Sequence, residues 1–326
     1  MRPKVYIGQF LAEKKSYLPI LYPNLGRQHK PGRLFLDKAY DVLGKPVVDI
    51  VTDPALCDFF LLPYDFFNVE KFDKYLREFG ALARKHNKKI LIFDFSDFDK
   101  QIDIPNSIQF RVSLYESSKR EGEIVMPPFV ENLTSFPERN KSLKPTVGFV
   151  GYVHFSLPSY FKLGARKHGI YFRRKALDEL EGVSEITTKV IRRLGYSGHR
   201  DTIGMDPELA RKQYLENIND SDLILAPKGY GNYSLRLYET LALGRIPILI
   251  DTDCVLPLED ELDYNKFILR VDYKNMDRLP NVIRNWWSRI SNEEFIEMQK
   301  LASEAFTQHL RLDRYLPRAF EKYCRK

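Results

Sequence analysis

The stretch 221-SDLILAPKGYGNYSLRLYETLALGRIPILID-251 decides how the whole chain is read. "SDLILA" is short and apolar, as a parallel strand buried on both faces would be, and Pro227 ends it. In "KGYGNYS", Gly229 and Gly231 let the backbone turn sharply and come close to a ligand. Ser234 is a good N-cap, so a helix is expected to start there. "IPILID" then reads as a second strand. The order is strand, glycine-broken loop, helix, strand. The start of such a helix offers unpaired N–H groups and the positive end of its dipole, a site suited to a phosphate.

At about 100° per residue the helix sorts into two faces. Leu235, Leu237, Tyr238, Leu241 and Ala242 form a broad apolar arc, and Arg236, Glu239 and Thr240 share the rest. Arg236 lies in the first turn, where its guanidinium can join the N–H groups around a diphosphate. Glu239, one turn deeper, could accept both hydroxyls of a ribose. The residues alone equally allow an Arg236–Glu239 ion pair on a solvated strip, worth roughly 0.2–0.5 kcal/mol. The loop is neither a Walker A sequence nor a dinucleotide fingerprint.

Upstream, the same alternation recurs. "KVYIGQF", "KPVVDIV" and "CDFFLLPYDFF" read as strands, and "VEKFDKYLREFGALARKH" has helical spacing through Phe72, Tyr75, Leu76, Phe79 and Leu82. "KKILIFDFSDFD", "IQFRVSLYE" and "GEIVMPPFV" follow as strands. "ENLTSFPERNKSLKP" is polar and holds two prolines, so it reads as a linker. Beyond it come the strand "TVGFVGYV", the helix "YFRRKALDELE", the segment "ITTKVIRRL", which fits strand or helix, and the helix "PELARKQYLENINDS". Alternating strands and helices argue for parallel sheets covered on both faces, an α/β fold. The expected division is residues 1–140, 141–300 and a helical tail, 301–326.

The chain's 326 residues exceed what one compact core usually takes. Its 44% hydrophobic and 13% aromatic content speaks against disorder. A net charge of +7 suggests anionic partners or a dispersed solvated excess. Cys57, Cys254 and Cys324 are far apart and show no metal-knuckle or redox spacing, which fits a reducing compartment. No run reaches the roughly 20 apolar residues of a membrane span, so a cytoplasmic protein is expected. The tail carries Arg311, Arg314, Arg318, Lys322 and Arg325, either a solvated face or a peripheral contact with an anionic membrane.

On these residues the chain resembles the exostosin family of glycosyltransferases. The resemblance rests on Pro227, Gly229, Ser234, Arg236, Glu239, Gly244, Ile246 and Pro247, and on "LPLED" ahead of Tyr264. "CDFFLLPYDFF", "EGEIVMPPF" and "PTVGFVGYV…FRRKAL" agree more loosely. The "RDHF" signature of many relatives is missing, with His86 displaced, and no membrane anchor or disulfide pattern shows; the chain looks like a compact bacterial- or viral-type member. The resemblance implies GT-B architecture: two Rossmann-like domains facing a central cleft, with a nucleoside diphosphate sugar, UDP-linked by expectation, on the C-terminal domain. It implies inverting, metal-independent transfer to the hydroxyl of an oligosaccharide or glycan, with no cofactor beyond the donor.

Inverting transfer needs a base from the N-terminal half, whereas retaining transfer needs none and would leave the candidate acids structural. Asp94, Asp97 and Asp65, all at strand ends, are candidates, though each could equally cap a helix or bind loop N–H groups. Arg173 and Arg174 open a helix, and either could reach the diphosphate or lie on the surface. His154, at a strand end, could touch either substrate or simply pack. Asp251 and Asp253 resemble a metal-type acid pair but read as loop acids near the donor. Two rival functions remain at this point: a nucleotide-sugar epimerase or hydrolase of the same fold, and a noncatalytic polyanion-binding module. No nucleic-acid motif is present.

Overall fold

The computed structural model describes residues 2–13, 15–28, 30–154 and 169–324. Two wholly parallel sheets organise it. The first has strand order β2-β1-β3-β4-β5-β6, from β1 (Lys4–Tyr6), β2 (Asp49–Ile50), β3 (Phe59–Asp65), β4 (Ile90–Asp94), β5 (Ser107–Arg111) and β6 (Glu123–Val125). The second has order β11-β10-β9-β7-β8, from β7 (Thr146–Tyr152), β8 (Thr187–Arg193), β9 (Leu223–Leu225), β10 (Ile246–Asp251) and β11 (Leu269–Asp272). This is the two-unit α/β architecture implied by the resemblance.

The strand orders fix where ligands can sit. In the first sheet the chain runs outward both ways from β1, so the order reverses between β1 and β3. In the second it reverses between β7 and β9. Beyond the carboxyl ends of such strand pairs, the following loops diverge to opposite faces and leave a crevice.

Among the described residues the longer helices are α1 (Asp73–Lys85), α2 (Gly169–Leu180), α3 (Pro207–Asn219), α4 (Leu235–Ala242), α5 (Leu279–Arg289), α6 (Asn292–Ala305) and α7 (Leu312–Tyr323). The ambiguous "ITTKVIRRL" forms the edge strand β8, consistent with its β-branched residues Thr187, Thr188, Val190 and Ile191. Helix α4 has no solvated strip. It packs against β10 and α6, and Leu237 through Ala242 are all buried, Glu239 and Thr240 included.

The C-terminal stretch is not an appendage. After a π-helical turn at Phe306–Leu310, α7 crosses back to the first sheet. There Leu312, Tyr315, Leu316, Ala319 and Phe320 join its core, and the Tyr315 hydroxyl donates to the Val125 carbonyl at 2.8 Å. Pro317 sits inside the helix without breaking it. The tail's cations are engaged within the chain: Arg311 pairs with Asp313, and Arg318 and Lys322 pair with Glu261, Lys322 also with Asp260. Arg325 lies outside the described residues. Among the described residues no helix is long and apolar enough to cross a membrane.

A buried seam joins the halves. Asn232 receives a hydrogen bond from Thr252 Oγ1 at 2.6 Å and donates through Nδ2 to the carbonyls of Leu114 and Asp253. Its backbone N–H donates to Ser113 Oγ at 2.9 Å. Lys228 Nζ donates to the Tyr115 hydroxyl at 2.8 Å. The glycine loop is thereby pinned to the first half, which fixes the cleft between the two sheets.

Candidate functional site

A cavity of about 700 Å³ opens between the halves, above the β7/β9 crevice. The loop and helix quoted first form one wall, through Gly229, Ser234, Arg236 and Glu239, and Arg173 and Asp97 also face it. Ser234 is extended (φ −134°, ψ 114°) and its side chain caps nothing, so the hydroxyl is available at the helix mouth. Arg236 spans the crevice itself. Its Nη2 donates to the Val150 carbonyl of β7 at 2.6 Å, and its Nη1 lies 3.4 Å from the Leu225 carbonyl of β9. The guanidinium stacks on Phe149, 4.3 Å from the ring centre. Gly151 makes room for it, since a Cβ there would lie 2.9 Å from Nη2.

Two more arginines converge on the same cavity, Arg173 from α2 and Arg193 from the end of β8. Arg193 donates to Ser197 Oγ and to the Ala210 carbonyl, both at 2.6 Å. Among the described residues none of Arg173, Arg193 and Arg236 has a carboxylate within ion-pair distance, and the Nε atom of each is buried without a partner. Burial and the neighbouring Arg236 charge pull Arg173 down to about 10. Partly buried cations that repel one another and lack counter-charges favour a bound anion.

Glu239 is held differently from either sequence reading. It does not pair with Arg236. Arg211 Nη1 donates to its Oε1 and the Tyr214 hydroxyl to its Oε2, each at 2.7 Å. Arg211 also donates to Glu131 at 2.9 Å and stacks on Phe35 of the first half, 4.1 Å from the ring centre. Burial and the Glu239 carboxylate raise the Tyr214 phenol well above its ordinary range. Each Glu239 oxygen still has a lone pair for a hydroxyl from the cavity.

The other candidates divide. Gly231 does not line the cavity; a Cβ there would strike the Tyr233 ring at 2.5 Å and Asp97 Oδ1 at 2.7 Å, so it serves close packing of the loop. Arg174 points to solvent, 3.6 Å from Asp178, and takes no part. Asp94 is buried and occupied, with Arg111 Nε 3.3 Å from Oδ2 and the Ser96 N–H donating to Oδ1, so its place is structural. Asp97 lies beside Tyr233, and burial and the Asp97 charge raise the Tyr233 phenol well above its ordinary range. Asp65 faces a second cavity, taken up below. Asp251 pairs with Arg270 at 2.7 Å, and Asp253 accepts from Ser117 Oγ at 2.6 Å across the seam. His154 is exposed and outside the cavity. The polar loop before Arg173 falls largely outside the described residues. Among the described residues no group of three or more His, Cys, Asp or Glu is placed to hold a metal ion. Arg193, Arg211 and Tyr214 were not anticipated from the sequence.

The family model described as the exostosin GT47 domain matches residues 112–286, from the end of the first sheet through α5. The chain belongs to the exostosin GT47 family. Exostosin relatives align over the same kind of short block. The probable glucuronosyltransferase 47 A of Physcomitrium patens is 32% identical over 88 residues, 27% of this chain and 19% of that protein. Exostosin-1 of Drosophila melanogaster is 30% identical over 78 residues, 24% of this chain and 10% of that protein. The chain thus spans about a fifth or less of the length of these exostosin-type relatives. Among solved structures, Anabaena HepE in complex with UDP-glucose covers 98% of both chains at 10% identity, with a TM-score of 0.42, too distant a likeness to argue from.

Proposed function

We propose that this exostosin-family chain is a glycosyltransferase that moves a sugar from a nucleoside diphosphate donor to a saccharide hydroxyl, with inversion and without a metal ion. The observation that carries the reading is the convergence of Arg173, Arg193 and Arg236, without carboxylate partners among the described residues, on the β7/β9 crevice at the mouth of α4. Guanidinium groups and helix N–H groups fixed in a partly dry site stabilise a diphosphate as it departs with the bonding electron pair. Arg236, already anchored by the strand carbonyls, needs little reorganisation to do so. Glu239, oriented by Arg211 and Tyr214, holds the ribose hydroxyls. Ser234 adds a hydroxyl at the phosphate end.

UDP is the expected nucleotide, and the relatives named glucuronosyltransferases make UDP-glucuronate a donor to include. The test incubates the protein with UDP-glucose, UDP-galactose, UDP-N-acetylglucosamine, UDP-glucuronate, GDP-mannose and CMP-sialate, each with and without a mixture of simple glycosides. Acceptor-dependent release of nucleotide from at least one donor is predicted. Epimerised donor, or free sugar at the same rate without glycoside, would identify an epimerase or hydrolase instead.

A further inference from the structure

A second cavity, of about 280 Å³, lies beyond the carboxyl ends of β3, β4 and β5, where Asp65, Phe95 and Val112 reach it. It shares Leu36, Tyr196, Tyr233 and Leu235 with the larger cavity, so the two adjoin. Its size is near the lower limit of small-ligand sites, about 300 Å³, enough for one sugar ring. Aromatic side chains dominate its walls, among them Tyr17, Tyr22, Tyr40, Phe95 and Phe129. Aromatic faces suit the apolar C–H face of a pyranose, while polar groups at the rim select its hydroxyls.

Asp65 ends β3 and projects into this space. Its Oδ1 accepts the Phe95 N–H at 3.1 Å, and Asn68 approaches Oδ2 only at 3.5 Å. Among the described residues no cation lies within ion-pair distance of it. The cavity carries no surplus of charge. Lys30 and Arg33 face it, against Asp65 and against Asp37, which lies 3.5 Å from Arg33. The larger cavity, by contrast, holds uncompensated arginines.

We infer that this smaller cavity is the acceptor subsite, that it takes one uncharged sugar ring in preference to an acidic one, and that Asp65 is the base for the reacting hydroxyl. The inference rests on the donor reading of the larger cavity. As the hydroxyl oxygen bonds to C1 of the donor sugar, its proton passes to the Asp65 carboxylate. The C1–oxygen bond to the diphosphate breaks, and the electron pair leaves with the nucleoside diphosphate. Asp94 and Asp97 are less suited: the first is tied to Arg111 and Ser96, and the second faces the larger cavity and does not line this one.

The surroundings also poise Asp65 for proton transfer. Burial and the Asp94 charge push it up to about 6, opposed by the Phe95 N–H and the Lys30 charge. Arg33, Tyr17, Tyr22, Tyr40, Tyr196 and Tyr233 are the other titratable groups lining the cavity. A base with a pKa near the working pH is the effective one. The limb of the rate profile governed by Asp65 therefore rises with pH, with its midpoint near 6.

The experiment has three steps. UDP is first titrated into the wild type and Asp65→Asn. Equal binding is expected, and failure of UDP to bind the wild type would strike the donor reading, before any acceptor is added. Next, saturation-transfer NMR at saturating UDP compares the methyl glycosides of glucose, galactose and mannose with methyl glucuronide and methyl galacturonide. At least one neutral glycoside should bind, and the uronides at least tenfold more weakly. No signal from any neutral glycoside, or equal or stronger binding of a uronide, overturns the inference. Finally, with donor and glycoside, Asp65→Asn should transfer about 10²–10⁴-fold more slowly and lose the limb near pH 6. Wild-type transfer by Asp65→Asn, or a comparable loss only in Asp97→Asn, would also overturn it.

Discussion

At the scale of single residues, the site consists of charges held in place by neighbours that are themselves held. Glu239 shows the consequence. It serves the cavity and also satisfies buried Arg211 and the Tyr214 hydroxyl, so Glu239→Ala removes two functions at once. It should weaken UDP binding and lower stability by about 1–3 kcal/mol, read as a lower urea midpoint with an unchanged slope. Arg174→Ala, which disturbs only a solvent-exposed contact with Asp178, should change neither. Asp65 carries a different signature. Its carboxyl is raised from 3.8 to about 6 in the folded chain. Between those values the folded state binds more protons than the unfolded, so stability falls as pH rises, and above pH 6 the full penalty applies, about 3 kcal/mol at most. Asp65→Asn should therefore raise the melting temperature at pH 8 and leave it nearly unchanged at pH 3. A lower melting temperature at pH 8 would contradict this balance of forces around Asp65.

At the scale of elements, local pattern carried far but stopped where contacts are non-local. The strand, loop, helix and strand from Ser221 to Asp251 fold as their sequence suggests, because apolar runs, glycines and an N-cap act over a few residues. Arg193, Arg211 and Tyr214 gave no signal: they come from the end of β8 and one face of α3, and meet Arg236 and Glu239 only when the second sheet has formed. The ion pair of Asp94 was hidden for the same reason, since its partner Arg111 lies on the adjacent strand β5. The closeness of β7 and α3 is another such contact. Gly148 has no room for a side chain, as a Cβ would lie 2.3 Å from Ser221 Oγ and 2.8 Å from Asn217 Oδ1. Gly148→Ala should destabilise the chain by about 1–3 kcal/mol, seen in urea denaturation; an unchanged midpoint would mean that α3 can draw back freely.

At the scale of the whole molecule, two sheets turn the carboxyl ends of their strands to one cleft, and the chain closes that arrangement by returning α7 to the first sheet. The return was not legible, because a basic amphipathic helix gives no sign of which core receives its apolar side. Ending the chain at Leu310 would expose Phe110 and Phe129, whose rings now lie against Phe320 and Tyr315 of α7. The truncated protein should lose its single cooperative transition and bind a hydrophobic dye, whereas a native-like melt would show that α7 is dispensable. The central claim concerns the β7/β9 crevice. Calorimetric titration of UDP into the wild type and Arg236→Ala tests it most directly. Loss of a charge-assisted contact worth about 1.5–3 kcal/mol predicts binding to the wild type and roughly 10–100-fold weaker binding to the variant. Equal affinity for both proteins, or no binding to either, would contradict it.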